Sequence, residues 1–366
     1  MFLRNPYLGA FGLDIGDLSI KLVQLERRGS FFQPSYYKVK ELRGVELLPG
    51  CIADGELQQP EMVRKKILQL LGKEGKNKSI KSPWVVANLP EPKTFLKLIE
   101  LEMTPENMTD EDIQYQAKKH LPIDIGEVYL DWQIIGAKEK TSQILLGAVS
   151  KVISDSYTYL LESAGLNIMA LEIEALSIAR AMITANKTYE NEARLILDLG
   201  ATRSGLVLYD HGSIQFSTKL NFSGNLVNTA LVQQLKISFQ EAEELKIKNG
   251  LAYDNQRPKY LKAAGGLTDQ LISDIKKTIQ FYNEHFPDAN PITRITMCGG
   301  MSAFKKLDEE LTKKLKITTA PGHPWKNLFN KQMEKSDQVM GLSLAAAIGL
   351  GLRAAEDPFT NGVAGI

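Results

Sequence analysis

Leu13-Asp14-Ile15-Gly16 closes an apolar run near the start of this 366-residue chain, and Leu197-Asp198-Leu199-Gly200 closes another half a chain later. Each copy continues alike. After the first come a polar turn with Asp17 and Ser19, the run Ile20-Lys21-Leu22-Val23-Gln24-Leu25, a break at Arg28-Gly29-Ser30 and a further extended stretch. After the second come Ala201-Thr202-Arg203-Ser204, the run Gly205-Leu206-Val207-Leu208-Tyr209, the tight turn Asp210-His211-Gly212, and Ser213-Ile214-Gln215-Phe216-Ser217-Thr218. A strand, an Asp-x-Gly turn and two more strands, written twice, predict two similar half-molecules facing each other across a cleft.

The segments between the copies fill in that layout. Met62, Val63, Ile67, Leu70 and Leu71 recur at helical spacing, and Trp84-Val85-Val86-Ala87-Asn88 reads as a buried strand. Residues 93–150 differ in character. They hold the strand Phe95-Leu96-Lys97-Leu98-Ile99-Glu100-Leu101, a helix over about 111–119 stopped by His120-Leu121-Pro122, and a hairpin from Val128 to Val149, enough for a subdomain. Helices are expected over 151–164 and 172–183, with a short strand between them. In the second half, Ser238-Phe239-Gln240-Glu241 is a capping box opening a helix that stops at Asn249-Gly250. A strand ending on Gly299-Gly300, a helix near Phe304 and an apolar helix over 341–353 follow.

The chemistry of this pattern is specific when taken jointly. A carboxylate at a strand end can hold hydrated Mg²⁺, which keeps several waters and takes only one or two protein carboxylates. The following glycine lets backbone N–H groups approach phosphate oxygens. Two carboxylates in one cleft repel, and a bound cation relieves this. Lys21 stands where a point charge can reach a terminal phosphate. Gly299-Gly300 offers bare backbone to a nucleoside. Singly, each feature has a plainer reading: Asp-x-Gly is a common turn, and a strand lysine can snorkel at an edge. Two Asp-x-Gly meanders followed by a strand-Gly-Gly junction, in that order, predict a nucleotide cleft.

Asp14-Ile15-Gly16 with Lys21, then Asp198-Leu199-Gly200-Ala201-Thr202, then Gly299-Gly300 resemble the phosphate motifs of the actin-like ATPase superfamily. Within it the chain resembles the PilM family of type IV pilus assembly proteins from about Gly12 to Gly351. Lys97-Leu98-Ile99-Glu100-Leu101, the stretch Gln116-Ala117-Lys118-Lys119-His120-Leu121-Pro122-Ile123, and Leu130-Asp131-Trp132-Gln133-Ile134 are similar to an insert shared with the division protein FtsA. The resemblance implies an α/β, duplicated ribonuclease-H-like fold with two lobes around the cleft. The first lobe takes 1–92 with 151–190, the insert 93–150, the second lobe 191–353 with a helical insert over about 224–290, and 354–366 is a tail.

The resemblance also implies roles. Asp14 and Asp198 would hold Mg²⁺ through water, with Gly16, Gly200, Ala201 and Thr202 around the phosphates and Lys21 on the β- or γ-phosphate. Glu174 would stand near the attacking water. Glu243 and Lys246 would flank ribose and adenine, with Gly299, Gly300 and Met301 below. Without the resemblance, Glu243 and Lys246 are an i, i+3 charge pair, and Glu174 a helix-start carboxylate. ATP with Mg²⁺ is thus the expected ligand, and hydrolysis is expected to be slow at most. The expected partner is the N-terminal cytoplasmic peptide of a PilN-like inner-membrane protein, seated between the insert and the first half, with pilus motor ATPases as further candidates. Trp84, Phe95, Tyr129 and Trp132 are candidate walls of that groove.

Two positions depart from the family pattern. Asp17 stands where a small residue is usual beside the phosphates, and Arg203 where a threonine is more usual. If Arg203 reaches across the cleft to Asp17 or to the γ-phosphate, the two departures compensate. Met301 replaces a third small residue and narrows the nucleoside floor.

Composition bounds the alternatives. With 44 basic and 43 acidic residues, the net charge is +1, which gives no footing for nucleic acid or a polybasic anchor. Cys51 and Cys298 make no disulfide framework, which fits a reducing cytoplasm. No stretch reads as a signal peptide or membrane span, so a cytoplasmic protein, peripheral to the membrane through its partner, is expected. A small-metabolite kinase of the same superfamily lacks a sugar-binding constellation here. An FtsA-like filament protein would end in a basic amphipathic helix, whereas this tail is acidic and then glycine-rich. The four histidines show no metal-ligand spacing.

Overall fold

The computed structural model describes residues 5–30, 33–75, 77–138, 140–185, 187–252, 257–328 and 341–356. In the first half, β1 (Phe11–Ile15), β2 (Ser19–Ser30) and β3 (Gln33–Glu46) form the meander, followed by a short hairpin of β4 (Ile52–Ala53) and β5 (Glu56–Leu57). Helix α1 (Pro60–Leu70) leads to β6 (Trp84–Leu89). The insert carries β7 (Thr94–Leu101), α2 (Asp110–Ala117), β8 (Val128–Lys138) and β9 (Thr141–Ser150). Then come α3 (Lys151–Ser163), β10 (Asn167–Ile173) and α4 (Glu174–Met182). Glu172 and Ile173, expected in a helix, finish the strand instead, paired with Asn88 and Leu89 of β6.

The second half repeats the meander as β11 (Ala193–Leu199), β12 (Ser204–Asp210) and β13 (Ser213–Leu220). Helices α5 (Gly224–Leu235), α6 (Phe239–Asn249) and α7 (Pro258–His285) form its helical insert. The Ser238–Glu241 capping box is present at the start of α6. Strand β14 (Ile292–Cys298), α8 (Leu307–Leu315), β15 (Thr318–Pro321) and α9 (Ala345–Ala355) complete the described chain. The helix expected near Phe304 begins later. Gly300–Ala303 forms a 3-10 turn first. Of the expected tail, 357–366 lies outside the described residues.

Two sheets face each other. The first runs β10-β6-β1-β2-β3 and the second β15-β14-β11-β12-β13-β7-β9-β8. The insert's three strands thus extend the second half's sheet, joined where Phe216 of β13 pairs with Lys97 of β7. Helices α4 and α9 lie between the sheets. Ala175, Ile178, Ala345 and Ile348 share one core with Val23 and Leu25 of the first sheet and Ile196 and Val207 of the second. Outer helices cover the far faces: α1 and α3 over the first sheet, α5 and α7 over the second.

The two middle helices meet without spacing. A Cβ on Gly349 would stand 1.8 Å from the Ser177 carbonyl oxygen. Only glycine permits that approach, so α4 and α9 pack backbone against side-chain-free backbone. They form one closely packed layer with one end at each of the two sites described next.

Candidate functional site

Both meander turns close in the same way. The Gly16 N–H donates to the Ser19 carbonyl at 3.0 Å, and the Gly200 N–H to the Arg203 carbonyl at 3.0 Å. Asp14 is paired across the strands with Lys21, and Asp198 with Gly205. Each aspartate receives a bond from the parallel neighbour strand. Asn88 Nδ2 donates to Asp14 Oδ1 at 3.0 Å, and Cys298 Sγ to Asp198 Oδ1 at 3.6 Å. Asn88 also accepts the Ile15 N–H at 2.8 Å, so it fixes the first turn at two points.

Between the turns opens a cleft of about 330 Å³ lined by Asp14, Gly16, Lys21, Glu174, Asp198, Gly200, Ala201, Thr202, Gly299 and Gly300, with Asp17 and Arg203. The nominated phosphate-side residues therefore converge. Leu342, Ser343, Ala345 and Ala346 complete the wall. These had no sequence signal, because a small-residue run before an apolar helix reads as packing.

Electrostatics dominate this cleft. Asp14 and Asp17 are 4% and 6% exposed. Lys21 Nζ lies 3.2 Å from Asp14 Oδ2. Burial works against the Lys21 charge, but Asp14, joined by Asp198 and Glu174, raises the lysine's pKa. Burial and the neighbouring Asp14 carboxylate both raise Asp198. Arg203 crosses from the second turn to the first, with Nη1 2.6 Å from Asp17 Oδ1 and Nη2 3.5 Å from Glu174 Oε2. The two departures from the family pattern are thus partners. Burial, aided by Asp198 and Asp14, pushes Glu174 up to about 7 even with Arg203 alongside.

The residues fit a magnesium-bound polyphosphate. Two strand-end carboxylates, one from each half, suit a cation that keeps its waters, and no cluster of three direct ligands exists among the described residues. Gly299 is glycine for the protein's sake: its φ is +80°, and a Cβ would stand 2.4 Å from the Leu199 carbonyl oxygen. Gly300 is different. Nothing lies within 4 Å of a Cβ built there. The protein itself does not require that bare backbone, so the space beside it is free for a ligand.

The residues expected on the adenosine side form a neighbouring cluster and do not line the cleft. Lys246 is buried, with Nζ 2.6 Å from Glu243 Oε2 and 3.4 Å from the Gly224 carbonyl oxygen. Glu243 also accepts from Asn228 Nδ2 at 2.5 Å. A Cβ at Gly224 would meet Lys246 Nζ at 3.1 Å and Met301 Cγ at 3.3 Å, so Met301 closes this cluster. The Gly224 and Asn225 amides donate to the Gly200 and Ala201 carbonyls, docking α5 on the second turn.

A second opening, of about 490 Å³, lies between the insert sheet and the first half. Tyr129 and Trp132 line it as expected, with Leu96, Gln133 and Leu145. Trp84 and Phe95 do not. Trp84 packs edge-on against Tyr7, with ring centroids 4.9 Å apart, and Phe95 belongs to the insert's own core beside α2. Strand alternation explains this for Phe95: its neighbour Leu96 takes the groove face. The floor comes from Glu172, Ile173, Leu176 and Arg180, and the far wall from Arg353 and Glu356. Glu172 is held by Arg180 Nη2 at 2.6 Å and Arg353 Nη1 at 2.9 Å, which keep its carboxyl below the usual range despite burial.

Comparison with known proteins matches this geometry. The chain is 24% identical over 358 residues to the cell division protein FtsA of Enterococcus hirae, spanning 92% of this chain and 71% of that protein. Its fold is similar to that in a solved PilM-PilN type IV pilus biogenesis complex, with a TM-score of 0.80 at 23% identity over 96% of this chain and 100% of that one. It is also similar to MreB 5 of Spiroplasma citri bound to AMPPNP, with a TM-score of 0.51 at 13% identity over 94% and 95% of the two chains. These likenesses establish the actin-like fold. The family described as type IV pilus assembly protein PilM matches residues 12–355, nearly the whole chain. The chain belongs to the type IV pilus assembly protein PilM family.

Proposed function

We propose that this protein is a nucleotide-biased scaffold of pilus assembly, in which the cleft takes Mg-ATP and the groove takes the N-terminal tail of a PilN-like inner-membrane protein. One observation carries the reading: α4 and α9 each serve both openings. Glu174 and Ala345 face the cleft, while Arg180 and Arg353, at the other ends of the same helices, face the groove. The solved relative was found in complex with PilN, and the MreB relative with AMPPNP, which supports both ligand assignments.

In this reading Asp14 and Asp198 hold Mg²⁺ through its waters. Lys21 and the amides around Gly16, Gly200, Ala201 and Thr202 meet the phosphates, and Gly299, Gly300 and Met301 floor the nucleoside beside Glu243 and Lys246. Arg203, already bound to Asp17 and Glu174, offsets part of the cleft's negative charge before nucleotide arrives. A carboxyl pushed up to about 7 is suited to act as a base, but Arg203 holds Glu174 Oε2, so in this reading water attack is restrained and turnover is slow. The groove suits an extended peptide with apolar side chains against Leu96, Leu145 and Tyr129, while Arg353, which bonds Glu172 through Nη1, has further N–H donors that no bond among the described residues takes up. No helix among the described residues is long and apolar enough to cross a membrane, so in this reading the partner supplies the membrane contact.

The test is calorimetric titration of the purified protein with the N-terminal peptide of a candidate PilN-like protein. Binding that weakens roughly tenfold or more in Arg353→Ala and Tyr129→Ala is expected, the range of interface anchors. No binding, or binding indifferent to both changes, would sink the groove assignment.

A further inference from the structure

Helix α4 begins without a cap of its own. Its N-cap is Ile173, which has no side-chain acceptor for the exposed amides of the first turn. Glu91 stands there instead. It opens the 3-10 turn Glu91–Lys93 that leads into β7, where the insert leaves the first half. Glu91, Glu174 and Ala175 line one small cavity, which sets the Glu91 carboxyl beside the first turn of α4. Burial raises its pKa, and the Ser217 hydroxyl, Arg203 and the Ala175 amide offset this only in part.

The carboxyl is only partly served. Its Oε2 is buried with no partner among the described residues, and so is the hydroxyl of Ser204 on β12. Ser204 is 3% exposed. Both residues line one cavity of about 20 Å³ behind the cleft, whose walls also include Glu174, Asp198 and Arg203. A space of that size holds a single water, provided that polar partners are present. Two orphan oxygens supply them, one able to accept and the other to do either.

We propose that this cavity holds one ordered water bonded to Glu91 Oε2 and Ser204 Oγ, and that Glu91 is a positioning residue for Glu174. In this proposal the carboxyl, facing the uncapped first turn of α4 across the shared cavity, takes the Ala175 amide, and the water ties that carboxyl to the second half's sheet. Glu174 is the first residue of that turn and touches Arg203, so displacement of Glu91 reaches the cleft within one helical turn. Since β7 starts at the same turn, the insert and the cleft share this one side chain. The effect on nucleotide rests on the Mg-ATP reading above; the water and the cap do not.

Three measurements on the full chain test this. A high-resolution crystal structure without nucleotide is expected to show a water within hydrogen-bond distance of both oxygens. An empty cavity, or a Glu91 carboxyl turned out of it, overturns the proposal. Hydrogen exchange at the Ala175 amide is expected to quicken about fivefold in Glu91→Ala, the loss of a typical cap, and to be restored in Glu91→Gln. Unchanged exchange in Glu91→Ala overturns it. Finally, Glu91→Ala is expected to weaken Mg-ATP about fivefold in wild type and not at all in a Glu174→Gln background. Equal losses in both backgrounds mean a merely structural role, and tighter binding means that Glu91 acts only as a like charge; either result overturns the positioning role. If wild type binds no Mg-ATP, the nucleotide reading fails, and the crystal and exchange results still decide the water and the cap.

Discussion

The two Asp-x-Gly turns share one backbone and carry opposite solutions for charge. Gly16 and Gly200 close their turns with the same bond at the same distance, and each aspartate takes a donor from the parallel strand beside it. The side chains between them have diverged. The first turn carries an extra acid, Asp17, and a lysine paired across the strands. The second has glycine at the lysine's place and supplies Arg203 instead. Duplication fixed the geometry, while complementary substitution across the cleft keeps it from being wholly anionic. The cleft is therefore a joint product of both halves, and changes that break the complementarity should exceed those that respect it.

The largest expected effect is at Arg203. Both partners of its Asp17 contact are buried, so Arg203→Ala leaves two carboxylates without their cation, and a loss of about 3–5 kcal/mol is expected in denaturant unfolding. Arg203→Thr should cost far less in an Asp17→Ser background, with a coupling of roughly 1–3 kcal/mol in the double-mutant cycle. Additive losses would mean that the ion pair does not set the cleft's charge.

Next is pH. Glu174 titrates near 7 in the folded chain against a usual 4.5. The folded state therefore binds more protons than the unfolded one in that window, and stability falls as pH rises from about 4.5 through 7. The stability difference between wild type and Glu174→Gln should change on the order of 2–3 kcal/mol across this range. A flat difference would place Glu174 outside the shared charge network.

Smaller still is the contrast between the adjacent glycines. Gly299→Ala should destabilise by roughly 1–3 kcal/mol, because a side chain there meets both the left-handed backbone and Asp198. Gly300→Ala should leave the melting temperature nearly unchanged, and weaken nucleotide instead. Equal thermal losses at both would mean that the open space beside Gly300 is not reserved for a ligand.

The duplicated meanders were legible in the sequence because each Asp-x-Gly turn punctuates an unbroken apolar strand. The cleft-lining residues of both turns followed from that punctuation, and Asp17 as one of two possible targets for Arg203 from two charged residues in places where the family pattern has none. Asn88 and Glu91 were not legible. A single polar residue after a buried strand carries no spacing signal, and only parallel pairing with β1 brings Asn88 onto Asp14. The same limit applies to the groove. Trp84 and Phe95 resemble Tyr129 and Trp132 in composition, but strand alternation and local packing send them into cores. The joining of the insert's strands to the second sheet rests on the Phe216–Lys97 pair, which no local pattern announces.

The cleft and the groove meet on α4 and α9, and the account stands or falls on whether they communicate. The direct measurement is the affinity for Mg-ATP with and without the PilN-like peptide, and for the peptide with and without Mg-ATP, on the same preparation. Helices shared by both openings predict that each ligand changes the other's affinity, by about 5-fold or more, and linkage requires the two factors to be equal. Two ligands that bind with mutually unaffected affinities would contradict the account.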